Sequence, residues 1–133
     1  MDCHYLIAGD VEGGVKNIDM KAEKQMLQSY LTELKNILTE LKPYKAVLFG
    51  SYAYGKVGDD SDIDLIVVLD RDDVPRSFDE RIENYSFVKK YFKFLKRKVP
   101  MDLIVYTRRE WDNFVQADNS FTREVLEKGK VLI

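Results

Sequence analysis

Two short apolar runs, Lys45–Phe49 and Asp62–Leu69, stand close together between longer segments of helical periodicity, and they constrain the fold more than any other feature. The first is bounded by Pro43 and Gly50 and reads as a buried strand. The second carries Ile63, Leu65, Ile66, Val67, Val68 and Leu69, the β-branched and apolar content of another strand. Between them Gly50-Ser51 turns the chain, Ser51–Gly55 fits a short helical turn, and residues 56–61 are loop by composition.

The flanking segments complete an alternating order. Asp19 is placed to cap a helix that runs to about Lys42, with Leu27, Tyr30, Leu31, Leu34, Ile37, Leu38 and Leu41 at three-and-four spacing and Pro43 as its stop. Ser77-Phe78-Asp79-Glu80 has the spacing of a capping box and predicts a second long helix, with Phe78, Ile82, Tyr85, Val88, Phe92 and Leu95 toward the sheet. Met101–Tyr106 reads as a third strand. Thr107-Arg108-Arg109-Glu110 is another capping box, opening a helix with Trp111, Phe114 and Val115. A short helix from Ser120 to Lys128 is stopped by Gly129, and residues 130–133 suit an edge strand. This order predicts an α/β (α+β) domain, a small mixed sheet flanked by helices. Residues 1–19, with Gly9, Gly13 and Gly14, read as an N-terminal extension, and residues 20–133 as the domain.

Composition removes several functions. The charges nearly cancel, 21 basic against 23 acidic, so direct nucleic-acid binding is not expected as the main role. The local basic run Lys89-Lys90, Lys93 and Lys96-Arg97-Lys98 reads as the solvated face of a helix. Cys3 and His4 are each the single residue of their type, which excludes an internal disulfide and cysteine- or histidine-based metal sites. No stretch is long and apolar enough for a membrane span and no signal peptide opens the chain, so a cytoplasmic protein is expected.

The chemistry concentrates in a few residues. Asp62 and Asp64 lie two apart on a predicted strand, which puts both carboxylates on one face a few ångströms apart. Two such carboxylates repel unless a cation lies between them, and hard cations such as Mg²⁺ take carboxylate, phosphate and water oxygens. Gly50-Ser51 ends the preceding strand, where glycine lets backbone approach a ligand and a turn aims N–H groups and a hydroxyl at an anion. If the two strands are neighbours, phosphate cradle and metal site share one edge of the sheet.

Gly50-Ser51, ten residues, then Asp62-Ile63-Asp64 resembles the signature of the nucleotidyltransferase superfamily that includes DNA polymerase beta. The stretch LFGSYAYGKVGDDSDIDLIVV, from Leu48 to Val68, is most similar to the minimal nucleotidyltransferases of prokaryotes, often encoded beside a HEPN-domain toxin and acting as its antitoxin. The resemblance implies the polymerase beta-like fold and a reaction in which two divalent ions, Mg²⁺, support transfer of a nucleoside monophosphate from a triphosphate to a hydroxyl. Asp62 and Asp64 would hold both ions, and Gly50 and Ser51 the β and γ phosphates. Asp102, in Pro100-Met101-Asp102-Leu103, matches the third carboxylate, which binds the ion that activates the acceptor hydroxyl. Many relatives carry Arg or Lys where this chain has Tyr54; Lys56 is close enough in sequence to substitute. Tyr52 and Tyr54 read as packing beneath the loop.

Larger enzymes of the superfamily carry an additional domain for the acceptor, and 133 residues leave no room for one. The resemblance therefore implies ATP as donor and a HEPN partner whose tyrosine hydroxyl receives AMP. The alternatives are a small-molecule acceptor such as an aminoglycoside, and an antitoxin of the same fold that acts by binding alone. Oligomeric state stays open, a homo-oligomer included.

Overall fold

The computed structural model describes residues 12–55 and 61–133, with side chains from residue 25 onward. The chain falls into two units, one ending at Glu33 and the other Leu34–Ile133. The elements run α1 (Glu12–Leu41), β1 (Lys45–Phe49), α2 (Ser51–Tyr54), β2 (Ile63–Leu69), α3 (Phe78–Tyr91), α4 (Lys93–Lys98), β3 (Met101–Thr107), α5 (Arg108–Gln116), α6 (Ser120–Lys128) and β4 (Lys130–Val131). The expected α/β (α+β) architecture is present. Helix α1 begins earlier than its expected cap, so Asp19 lies within it; the reading of residues 1–11 falls outside the described residues.

Four strands form one mixed sheet in the order β3-β2-β1-β4. β1 pairs antiparallel with β2 and β4, and β2 pairs parallel with β3. A parallel pair needs a crossover, and α3 with α4 supplies it. β2 therefore has a partner on each edge, and all its residues except Asp64 are buried. That is why its sequence is almost continuously apolar rather than alternating.

Side-chain alternation divides the core into two rows. Val47 and Phe49 of β1 and Ile66 and Val68 of β2 gather with Trp111 and Val125, while Ile104, Tyr106 and Phe114 pack against this group. Phe114 lies 5.4 Å from the Trp111 ring and 5.6 Å from the Phe121 ring, which joins α5 to α6. On the alternate row Ala46, Leu48, Ile63, Leu65, Val67 and Leu69 are buried, as are Leu34, Leu38, Val88, Phe92 and Leu95 of the helices.

The expected second long helix is instead two. The chain leaves helical geometry at Phe92 (φ −100°, ψ 8°), whose side chain is 1% exposed. Burying that ring redirects the path, and α4 resumes immediately. Phe78 and Ile82 are exposed rather than sheet-facing, and the buried positions of α3 are Asn84 and Val88. The first turn of α3 thus lies outside the core, and its cap fixes it instead: the Ser77 hydroxyl accepts from the Glu80 N–H at 3.2 Å. The Glu80 carboxylate accepts from the Arg76 N–H rather than from that of Ser77, so the box closes one residue early. At Thr107 the box is complete in both directions.

Phe92 is the core side chain on which the α3–α4 break depends. Phe92→Ala is expected to lower unfolding free energy by about 3–5 kcal/mol, the usual cost of emptying a buried aromatic site. Urea denaturation followed by circular dichroism measures it, and a loss below about 1 kcal/mol contradicts this role.

Candidate active site

Strand pairing brings the predicted residues to one end of the sheet. Phe49, the last residue of β1, is the register partner of Asp64, so Gly50 emerges beside the start of β2. On the other edge, Asp64 is the register partner of Asp102 near the start of β3. The Ile63 N–H donates to the Pro100 carbonyl at 2.9 Å, which fixes the two strand starts together. Gly50, Ser51, Asp62, Asp64 and Asp102 thus come from three segments and meet at one edge.

Gly50 is required for this meeting in two ways. Its backbone (φ 72°, ψ −158°) lies in a region essentially confined to glycine. A Cβ at this position would also collide with the Asp64 carboxylate. The Gly50 carbonyl accepts from the Ala53 N–H at 3.0 Å and the Tyr54 N–H at 3.1 Å, which winds α2 directly behind the turn. Ser51 opens α2, and Gly55 closes it in left-handed geometry, its N–H bonded to the Ser51 carbonyl. Tyr52 is buried, and the Tyr54 hydroxyl is shielded from solvent without a hydrogen-bond partner, in keeping with packing beneath the turn. Lys56 lies outside the described residues.

The three acids differ in environment. Asp64 is half-buried, whereas Asp62 and Asp102 are exposed. Asp62 lies just ahead of β2 rather than within it, so the strict strand alternation expected for the pair begins only at Ile63. Burial pushes the Asp64 carboxyl above its ordinary value, and the negative charges of Asp102 and then Asp62 push it further. None of the three forms an ion pair among the described residues. Nor do any three Asp, Glu, His or Cys side chains, among the described residues, converge as a set that holds a metal ion. Asp102 and Asp62 are close enough to add to the raised proton affinity of Asp64 without the three being drawn together. As donors they suit a hard divalent cation, and mutual repulsion opposes their convergence without one.

The other end of the sheet is electrostatically closed. Arg108 pairs with Asp70 at 3.2 Å, Arg109 with Asp72 at 3.5 Å, and Arg81 with Glu110 at 2.6 Å. The Arg71 guanidinium donates to the buried Asn84 at 2.9 Å. Charges are matched there and unmatched at the Asp64 end. The basic run of α3–α4 is largely solvent-facing, with Lys90 over the Phe87 ring at 5.4 Å and Arg97 near Phe94 at 5.5 Å. A contact that local sequence does not signal joins the far end of the chain to the turn: the Lys128 ammonium lies 5.8 Å from the centre of the Tyr54 ring.

The sequence matches a family described as the nucleotidyltransferase domain over residues 31–132. The chain belongs to that family. A provisionally named nucleotidyltransferase from Sulfolobus solfataricus has a similar structure, with a TM-score of 0.53 and 20% identity, covering 80% of this chain and 82% of that one. A toxin-antitoxin structure with AMP-PNP is also similar, with a TM-score of 0.50 and 23% identity over 77% of this chain and 71% of that one. At these identities the likeness establishes the shared fold. No curated protein sequence matches the chain. This nucleotidyltransferase therefore has the fold that the resemblance of its Gly-Ser and Asp-x-Asp signature implied.

Two outcomes follow from the geometry. Gly50→Ala is expected to cost about 1–3 kcal/mol in thermal or chemical unfolding, through the glycine-only backbone, and to displace the Asp64 carboxylate. A variant of unchanged stability contradicts that. The second concerns Asp64, whose carboxyl binds its proton more readily in the fold than in the unfolded chain. Its contribution favours the fold at low pH and is lost as pH rises from the ordinary value of 3.8 through the raised one. Asp64→Asn removes that penalty, so in metal-free buffer the variant is expected to melt above wild type at pH 7, with the difference closing below pH 3.8. Melting curves at pH 7 and pH 3 test this; an Asn variant that melts no higher at pH 7 refutes the repulsion.

Proposed function

We propose that this nucleotidyltransferase moves AMP from ATP to a hydroxyl of a partner protein, a tyrosine of a HEPN-type toxin, and so acts as an antitoxin. The observation that carries the transfer chemistry is the close approach of the Gly50 turn to Asp64, with Asp102 beside it in register. Membership of the nucleotidyltransferase domain family supports it. The antitoxin role rests on the resemblance of the Leu48–Val68 stretch to minimal nucleotidyltransferases, and the fold shared with a toxin-antitoxin structure containing AMP-PNP agrees with it.

In this reading Asp62, Asp64 and Asp102 would hold two Mg²⁺ ions, whose charge would offset the repulsion among the carboxylates. Divalent ions at such a site neutralise charge on both the attacking and the leaving oxygen. Gly50 and Ser51 receive the β and γ phosphates through backbone N–H groups and the serine hydroxyl. Asp102, exposed at the start of β3, faces the incoming acceptor and takes its proton. The acceptor oxygen forms the new bond to the α-phosphorus as the bond to the β-phosphate oxygen breaks, releasing pyrophosphate. Asp64, the least solvated of the three, fixes the geometry because β2 is held on both edges.

The test is incubation of the protein with α-labelled ATP, Mg²⁺ and the product of an adjacent HEPN-type gene. Wild type is expected to label that partner, and the Asp62→Ala, Asp64→Ala double variant to lose at least about a hundredfold of the rate. Equal labelling by both proteins refutes the mechanism. Neutralisation of the toxin by the double variant without labelling identifies an antitoxin that acts by contact, and labelling of an aminoglycoside in place of the protein identifies the other acceptor class.

A further inference from the structure

A triphosphate is a multiply charged anion, yet the described parts of β1, α2 and β2 bring only acids to the edge where the Gly50–Ser51 turn lies. A cation reaches that region from the far end of the chain. Lys128 is the last residue of α6, and its ammonium lies 5.8 Å from the centre of the Tyr54 ring. Tyr54 is part of the turn: its N–H bonds to the Gly50 carbonyl at 3.1 Å, and its shielded hydroxyl lies in the fields of Glu124 and Asp64. That hydroxyl is shielded from solvent and the Gly50 backbone acts on it, so the polar end of the ring lies at the turn.

The backbone carrying Lys128 is fixed beside the turn. The Gly129 N–H donates to the Val125 carbonyl at 2.9 Å. A Cβ on Gly129 would collide with that carbonyl and lie 3.0 Å from Val47 and 3.2 Å from the Leu48 carbonyl oxygen. Lys130 then pairs with Leu48, two residues before Gly50. The base of the lysine is therefore held against the end of β1, while its side chain stays exposed. An aromatic face attracts an ammonium without neutralising it, so the full charge remains available to an anion.

We propose that Lys128 is a nucleotide-binding residue that supplies the cation for the β and γ phosphates at the Gly50–Ser51 turn, with the Tyr54 ring holding the ammonium in readiness. The inference rests on the nucleotide-binding reading of that turn. It assigns to the end of α6 a task that sequence proximity had suggested for Lys56. Because the charge meets only the tail of the nucleotide, its effect grows with the number of phosphates.

Calorimetric titration of the full chain with ATP, ADP and AMP in Mg²⁺ tests this, using wild type, Lys128→Gln and Lys128→Arg. Lys128→Gln is expected to weaken ATP binding about tenfold, the usual scale for loss of a charge-assisted contact to phosphate, and to leave AMP binding unchanged. Lys128→Arg keeps the charge and is expected to stay within about threefold of wild type for ATP. The ATP difference between wild type and the Gln variant shrinks as salt rises. A Lys128→Gln protein that binds ATP as wild type does overturns this inference and leaves the nucleotide site standing. Equal weakening for ATP and AMP overturns it too, since a general structural defect has that pattern. A wild-type protein that binds none of the three overturns the parent reading itself.

Discussion

The pairing of β2 on both edges is the constraint from which the rest of the structure follows. A strand with antiparallel β1 on one side and parallel β3 on the other has no open edge, and here both of its side-chain rows are buried. Such a strand cannot slip by one residue, because a slip would exchange the two rows and bring Asp64 into the core. The register Phe49–Asp64–Asp102 is thereby set by the burial of Ile66, Val68 and their neighbours, several residues from the acids. Apolar packing fixes the positions of the charges.

Those charges oppose the stability of the domain. Asp64 loses solvation where it sits, and Asp102 and Asp62 add repulsion. A chain selected for stability alone would place an arginine nearby, as it does at the opposite end with Arg108 and Asp70 or Arg81 and Glu110. Leaving the three acids unpaired among the described residues is what the cation and anionic substrate of the proposed function would compensate. The glycine at position 50 has the same character. It accepts a backbone that other residues resist, and its missing side chain is the space that the Asp64 carboxylate occupies.

What the sequence made legible was local. Ser77 and Thr107 announce helix starts because a cap is a contact between residues three apart. Gly50, Ser51, Asp62 and Asp64 are readable as a group because they lie within fifteen residues, from the end of one strand to the start of the next. The helical stripe misled at Phe78 and Ile82, since periodicity gives the phase of a face and not how far along the helix the core extends. The break at Phe92 was hidden for a related reason: nothing in the sequence there is a glycine or proline, and the turn is imposed by burial of the ring. Asp102 could be paired with Asp64 only once the parallel register was known. The approach of Lys128 to Tyr54 depends on α6 ending against β1, a tertiary fact with no local signal.

The mixed character of the sheet explains where the candidate site lies. In wholly parallel α/β sheets ligands gather beyond the carboxyl ends of the strands, because loops and helix starts converge there. In this domain the acids lie at the amino ends of β2 and β3. The antiparallel β1 accounts for the difference, since its carboxyl end is at that same edge and delivers Gly50 and the start of α2 to it. β4, antiparallel to β1, runs away from the edge, so the end of α6 that precedes it lies toward the turn. One reversed strand thus gathers a turn, three carboxylates and a lysine that are scattered along the chain. The carboxyl ends of β2 and β3 are left to ion pairs that hold the helices. The repulsion at the first end is what the ligand of the proposed function would relieve, whereas at the second end Asp70 and Asp72 already have arginine partners.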